Sequence, residues 1–199
     1  MKLLAAALAA LALWALGWVT PGAAVLVFLL GLMALWLGGW GAAALLFGFV
    51  AASNLFGRPT RRSAGQVLAN GLAPVLGLAL SPAFFLGALA TAAADTLASE
   101  IGARAPWAWR PDRGRVESGT NAAISLRGSG ALVLTALAFS GFSPLFGVRP
   151  FPVFVGGVTG AVADTLIGLV FEERYPGFTN DHTNALATLI GGLTAHLLG

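Results

Sequence analysis

The chain has no cysteine. That excludes disulfides, thiolate metal sites and thiol nucleophiles, and it leaves the redox compartment unread. Charge is scarce as well, with only 10% of residues charged, too few for an ordinary soluble domain. Lysine is confined to Lys2, so the net charge of +3 comes from arginines. No GxxxxGK(S/T) phosphate loop and no HExxH zinc motif occurs. No basic patch interleaved with aromatics supports a nucleic-acid partner. What fills the chain is apolar: 57% hydrophobic residues and 27 glycines in 199 positions, with a mean hydropathy of +0.84. This composition predicts an all-α, polytopic integral membrane helical bundle, one transmembrane domain over 1–199. There is no room for a separate soluble nucleotide-binding domain, so any chemistry must use helix ends and short loops.

Apolar segments of near-spanning length fall at about 3–19, 22–38, 39–56, 66–80, 82–102, 119–141, 151–171 and 183–198, which predicts seven or eight transmembrane helices. The count depends on stretch 22–56, which Gly38-Gly39 either breaks in two or leaves as one long tilted helix. The first segment has the pattern of a signal peptide, but apolar sequence throughout the rest favours a retained anchor. Charges gather at Arg58 to Arg62, Arg104 to Glu117 and Glu172 to Asp181. Helix pairs separate these loops, so all three fall on one side, and the arginines place that side in the cytoplasm. The expected location is the cell membrane, multi-pass, with the active site facing the cytoplasm. Trp107 and Trp109 flank the second loop as interfacial anchors would. Glu172-Glu173-Arg174 reads as a solvated helix end.

A short string occurs twice inside apolar sequence: Ala94-Asp95-Thr96-Leu97 and Ala163-Asp164-Thr165-Leu166. Gly87 and Gly156 stand eight residues before the two aspartates. Thr120-Asn121-Ala122 and Thr183-Asn184-Ala185 follow them. The pattern predicts internal repeats at about 82–141 and 151–198, with a degenerate unit at 39–80 that contributes Asn70. Helix pairs of equal orientation imply a parallel repeat, which would bring Asp95, Asp164, Asn121, Asn184 and Asn70 to one cytoplasmic-facing cavity. An aspartate in hydrocarbon costs ~2.5–3.5 kcal/mol on insertion scales and marks a functional site by default. The plainer alternative is that each aspartate only bonds a neighbouring helix and fixes packing.

Paired Asp and Asn oxygens near a helix end suit Mg2+, which takes a few hard oxygens and keeps waters or phosphate oxygens. The asparagines are expected at helix N-termini, where free N–H groups favour phosphate. Ser99 shares the face of Asp95, and Thr120 accompanies Asn121. Arg104, Arg110, Arg113 and Arg115 lie in the longest loop, where lipid headgroups and substrate phosphates are equally good partners. Arg127 is expected inside an apolar helix, where it would need a partner. Glu100 is a candidate metal or nucleotide contact. His182 is a candidate phosphate contact or base, with a solvated loop histidine the plainer reading, and His196 is expected to be structural.

Five ordered motifs, QVLANG at 66–71, ADTLASEIG at 94–102, GTNAAISLRG at 119–128, GAVADTLIG at 160–168 and NDHTNALATLIGG at 180–192, resemble the membrane-protein family that includes the plant phytyl-phosphate kinase of tocopherol synthesis. The stretch around Asp95 is more distantly similar to dolichol kinases and CDP-diacylglycerol synthases. Ala122 stands where the family pattern has glycine. The resemblance implies an isoprenoid monophosphate held in the bilayer, ATP or CTP with Mg2+ entering from the cytoplasm, and transfer of the terminal phosphoryl to give the diphosphate. It implies Asp95, Asp164, Asn121 and Asn184 as metal and catalytic ligands. Arg127, Arg104, Arg113, Arg115, Glu100, Asn70, Ser99 and Thr120 would surround the phosphates or nucleotide. The alternatives are a secondary transporter or ion carrier, and within enzymes a prenol kinase or a CTP-dependent cytidylyltransferase. Homodimerisation stays open.

Overall fold

The computed structural model describes residues 1–56 and 61–199; Arg58 of the first charged loop lies outside them. Among the described residues eight helices follow one another: α1 (Lys2–Ala15), α2 (Pro21–Leu37), α3 (Gly39–Phe56), α4 (Ala64–Gly77), α5 (Pro82–Gly102), α6 (Leu126–Phe142), α7 (Pro150–Ile167) and α8 (Asn180–Leu198). Proline opens α2, α5 and α7, at the position where its missing N–H and fixed φ cost nothing. Hydroxyls of Thr20, Ser63, Ser81 and Ser125 cap α2, α4, α5 and α6, each accepting from a backbone N–H that would otherwise lack a partner. Stretch 22–56 is two helices, because Gly39 turns the chain at φ 73°. Among the described residues four helical stretches, Gly39–Phe56, Pro82–Gly102, Leu126–Phe146 and Pro150–Glu172, are long and apolar enough to cross a membrane.

The centre is α5, buried almost all round from Ala83 to Ala94. It packs against α3, α4, α6, α7 and α8. Small residues make this approach close. A Cβ on Gly156 would lie 2.5 Å from the Gly191 carbonyl oxygen, and one on Gly160 would lie 2.8 Å from that of Ala187. Thr91 sits at the crossing, its hydroxyl 2.9 Å from the Gly87 carbonyl and 3.2 Å from that of Gly156. In lipid the drive for such packing is van der Waals contact and interhelical bonding, which small residues permit.

The charged loops gather at one end of the bundle. Gly65 in the first turn of α4 touches Asp181 in the first turn of α8, and Arg110 pairs with Glu173 after α7. At the other end Ser81 and His196 share a 2.8 Å hydrogen bond, and Lys2 lies 4.8 Å over the Trp36 ring near the close of α2. Lys2 therefore lies opposite the arginine-rich loops.

Two local expectations are corrected. The segment 119–141 is helical only from Leu126; residues 119–125 are not helical, with Gly119 at φ 90° and Ala122 at φ 56°, and Ser125 caps the helix. The loop before it contains an antiparallel hairpin, β1 (Ala108–Arg110) and β2 (Gly114–Val116). Its Pro111-Asp112-Arg113 turn closes through Gly114 at φ 71°, a common way to join two strands in three residues. Trp109 is a strand residue bridged to Ile124.

Candidate functional site

Beyond the small-residue crossing, α5 and α7 carry Asp95 and Asp164 to the charged end of the bundle. The two carboxyls lie within hydrogen-bonding reach of each other. Oδ1 of Asp164 is buried with no hydrogen-bond partner. Two acids in contact repel unless a proton or a cation sits between them.

A third acid joins them from an unexpected place. Glu172 is eight residues after Asp164, which in a regular α-helix puts it about 80° round the axis. The chain instead takes a π-helical turn at Gly168–Glu172, which rotates less per residue and swings Glu172 back toward the face of Asp164. Both aspartates feel the charge of Glu172. Its carboxylate accepts from Asn121 Nδ2 at 2.9 Å and from Thr183 Oγ1 at 2.5 Å. Reading Glu172 as part of a solvated helix end is thus overturned, while Glu173 and Arg174 are exposed.

The fourth charge is Arg62. Its backbone is tied to the α1–α2 turn, donating to the Trp18 carbonyl at 2.9 Å and accepting from Thr20 N–H at 3.0 Å. Its half-buried side chain lies in the field of Glu100 and Asp95. Burial pushes the guanidinium down from its ordinary value while these carboxylates pull it up. Its Nε and Nη2 are buried without hydrogen-bond partners. Nothing in the sequence around Arg62 distinguishes it from its loop neighbours.

The remaining sequence-predicted residues divide by position. Asn121 reaches the acids from a turn, and Asn184 is buried in α8 beside Thr183. Neither Asn121, Asn184 nor Asn70 begins a helix: Asn121 precedes α6, while Asn70 and Asn184 lie inside α4 and α8. Asn70 donates to the Gln66 carbonyl at 3.1 Å. Thr120 donates to the Glu117 carbonyl at 2.7 Å, and Ser99 is exposed. Arg127 is not several residues into an apolar helix: it is the second residue of α6, exposed, and donates to the Arg104 carbonyl at 2.9 Å. Arg113 pairs with Glu173 at 2.7 Å, and Arg115 lies 5.2 Å over the Trp107 ring. His182 forms the cap of α8 with Thr179 and stacks on Phe178.

Arg110 is nearly fully buried, at 1% exposure, with Nη1 2.5 Å from Glu173 and Nε 2.9 Å from Asp112. The Nε contact to Asp112 meets the ion-pair distance but lacks hydrogen-bond alignment. The hydrogen bond from Arg110 holds the Glu173 carboxyl below its ordinary value. This pair clamps the hairpin to the end of α7.

Among the described residues no three acids or histidines are close enough to enclose a metal ion. Mg2+ does not need such a cage, since it is commonly held by one or two carboxylates plus waters and substrate phosphates. Asp95 and Asp164, with the unpartnered oxygen of Asp164, fit that mode.

Residues 4–192 match the family described as integral membrane protein DUF92. The chain is also 34% identical over 157 residues to an uncharacterised membrane protein of Methanocaldococcus jannaschii, covering 70% of this chain and 63% of that relative. It thus spans less than two thirds of the relative's length. No solved structure matches the chain. With its helical bundle and the match across nearly its whole length, the chain belongs to the DUF92 family of integral membrane proteins.

Proposed function

We propose that this protein is a membrane-embedded phosphotransferase that passes the terminal phosphoryl of ATP or CTP to an isoprenoid monophosphate. The observation that carries the reading is the gathering of Asp95, Asp164 and Glu172 at one end of the bundle, with Asn121 bonded to Glu172 and Arg62 in the field of Asp95. The arginine-rich loops at that end support a cytoplasmic orientation. A nucleoside triphosphate can then approach from water while the isoprenoid chain stays in the bilayer.

Asp95 and Asp164 would hold Mg2+, which supplies positive charge against the phosphate oxygens of donor and acceptor. An oxygen of the acceptor monophosphate attacks the terminal phosphorus as the bond to the bridging oxygen breaks, giving the isoprenoid diphosphate and the nucleoside diphosphate. The attacking phosphate oxygen is already ionised, so no strong protein base is required. Catalysis rests on placement and charge. Glu172 orients Asn121 and Thr183, and Arg62 faces the acceptor's negative charge. An alcohol acceptor would instead require a general base.

The test is purified protein in detergent with farnesyl, geranylgeranyl or phytyl monophosphate, ATP or CTP, and Mg2+ or EDTA. Diphosphate formed with one donor and abolished by EDTA is the expected result. Folded protein that makes no diphosphate with any chain or donor would overturn the reading, and ion flux in proteoliposomes would then be measured.

A further inference from the structure

Helices α3 and α4 each pack on α2 and α5, while direct contact between them is slight. A narrow crevice is left between α2, α3 and α4. Its walls are apolar, with Val27 and Leu30 from α2, Leu46 and Val50 from α3, and Val67 and Gly71 from α4. Among the described residues one charged group lines it, Arg62.

We propose that this crevice takes the apolar chain of an anionic amphiphile and that Arg62 binds its phosphate head. The inference rests on the reading above, for which it names the acceptor subsite. Three observations converge on it. First, the two buried, unpartnered donors of Arg62, Nε and Nη2, belong to the planar fork that matches phosphate oxygens. Buried donors of this kind are normally satisfied, and a phosphate satisfies both. Second, the bonds from Arg62 to Trp18 and Thr20 fix the backbone from which its side chain lines the crevice. Third, Arg62 lies in the electrostatic field of Asp95 and Glu100. A head group bound there lies at the edge of the acid cluster with its chain running away between the helices. Gln66 and Asn70 flank Arg62 in the lining. Gln66 accepts from the Ser63 N–H through its oxygen and Asn70 donates to the Gln66 carbonyl, so both amides are held beside the arginine, which alone of these three carries the charge an anion needs.

The experiment measures equilibrium binding to the full chain in detergent, without nucleotide. The probes are geranyl, farnesyl and geranylgeranyl monophosphate, geranylgeraniol, inorganic phosphate and phosphatidylglycerol. Arg62→Gln should weaken farnesyl monophosphate binding roughly tenfold or more, as expected for losing a charge-assisted pair, and leave geranylgeraniol binding nearly unchanged. Val50→Trp, which fills the crevice, should weaken geranylgeranyl monophosphate more than geranyl monophosphate. Should Arg62→Gln fail to fold, the chain-length shift in Val50→Trp decides alone. Wild-type binding in folded variants overturns the inference. So does phosphatidylglycerol binding as tightly as the isoprenoid monophosphates, which would assign the crevice to bulk lipid. Product assays run in parallel separate the two claims. Diphosphate formation indifferent to both substitutions removes the subsite and keeps the phosphotransferase. Arg62-dependent binding without product under any donor keeps the subsite and removes the phosphotransferase.

Discussion

At the scale of single residues, Ala122 and Glu172 are the informative pair. Ala122 stands at φ 56°, in the left-handed region where a side chain costs about 1 kcal/mol or more. Its turn presents Asn121 to Glu172. Ala122→Gly removes that strain but raises the entropy of the unfolded chain by a similar amount, about 0.4–1 kcal/mol, so thermal unfolding should shift little or slightly upward. Ala122→Val, β-branched at the same φ, should lower the unfolding temperature clearly. Asp95 and Asp164 stand out in the sequence because the cost of burying charge makes a repeated acid in apolar sequence conspicuous, and the structure puts their carboxyls together. Glu172 does not stand out. Beside Glu173 and Arg174 it looks like any solvated helix end, and only the π-helical turn, set by packing rather than by local composition, directs it inward.

Elements show the same division between what local chemistry specifies and what packing adds. The helix starts are written in Pro21, Pro82 and Pro150 and in capping hydroxyls. The start of α6 is misread because Ala122-Ala123-Ile124 continues the apolar run, and the turn is visible only in its backbone angles. The β1–β2 hairpin hides in a charged loop. Its clamp to α7 has a definite pH signature. Hydrogen bonding from Arg110 depresses Glu173 below its ordinary 4.5. Its contribution is therefore fully present above that value and is lost as pH falls through the lowered one. Hydrogen exchange of residues 108–116 should stay slow from neutral pH down to about 4.5 and accelerate, beyond the intrinsic pH effect, only below it. Glu173→Gln should show the faster exchange already at neutral pH. In the helix core, Gly160→Ala would drive a methyl toward Thr91 and the Ala187 carbonyl. Overpacking of this kind typically costs about 1–3 kcal/mol, readable as a lowered unfolding temperature in detergent.

The whole molecule is a multi-pass membrane protein with its charged loops gathered at one end, Lys2 and Arg149 lying at the other. Its lack of cysteine makes sidedness directly measurable. Arg115→Cys in the hairpin and Leu145→Cys in the turn after α6 are both exposed sites near opposite ends of the bundle. An impermeant thiol reagent applied to intact cells should label Leu145→Cys, and Arg115→Cys only after lysis. The reverse pattern would turn the acid cluster outward and remove the supply of nucleotide the proposed reaction needs.

The most direct test of the acid cluster's role follows label from the terminal phosphoryl of the nucleotide into isoprenoid diphosphate. Wild type, Asp95→Asn, Asp164→Asn and Glu172→Gln would be compared at equal folded concentration. Removing a group that neutralises or positions transition-state charge typically costs about 100-fold or more. The prediction is transfer by the wild type, a loss of that order in both aspartate variants, and a smaller loss in Glu172→Gln. Undiminished transfer in either aspartate variant would contradict the account.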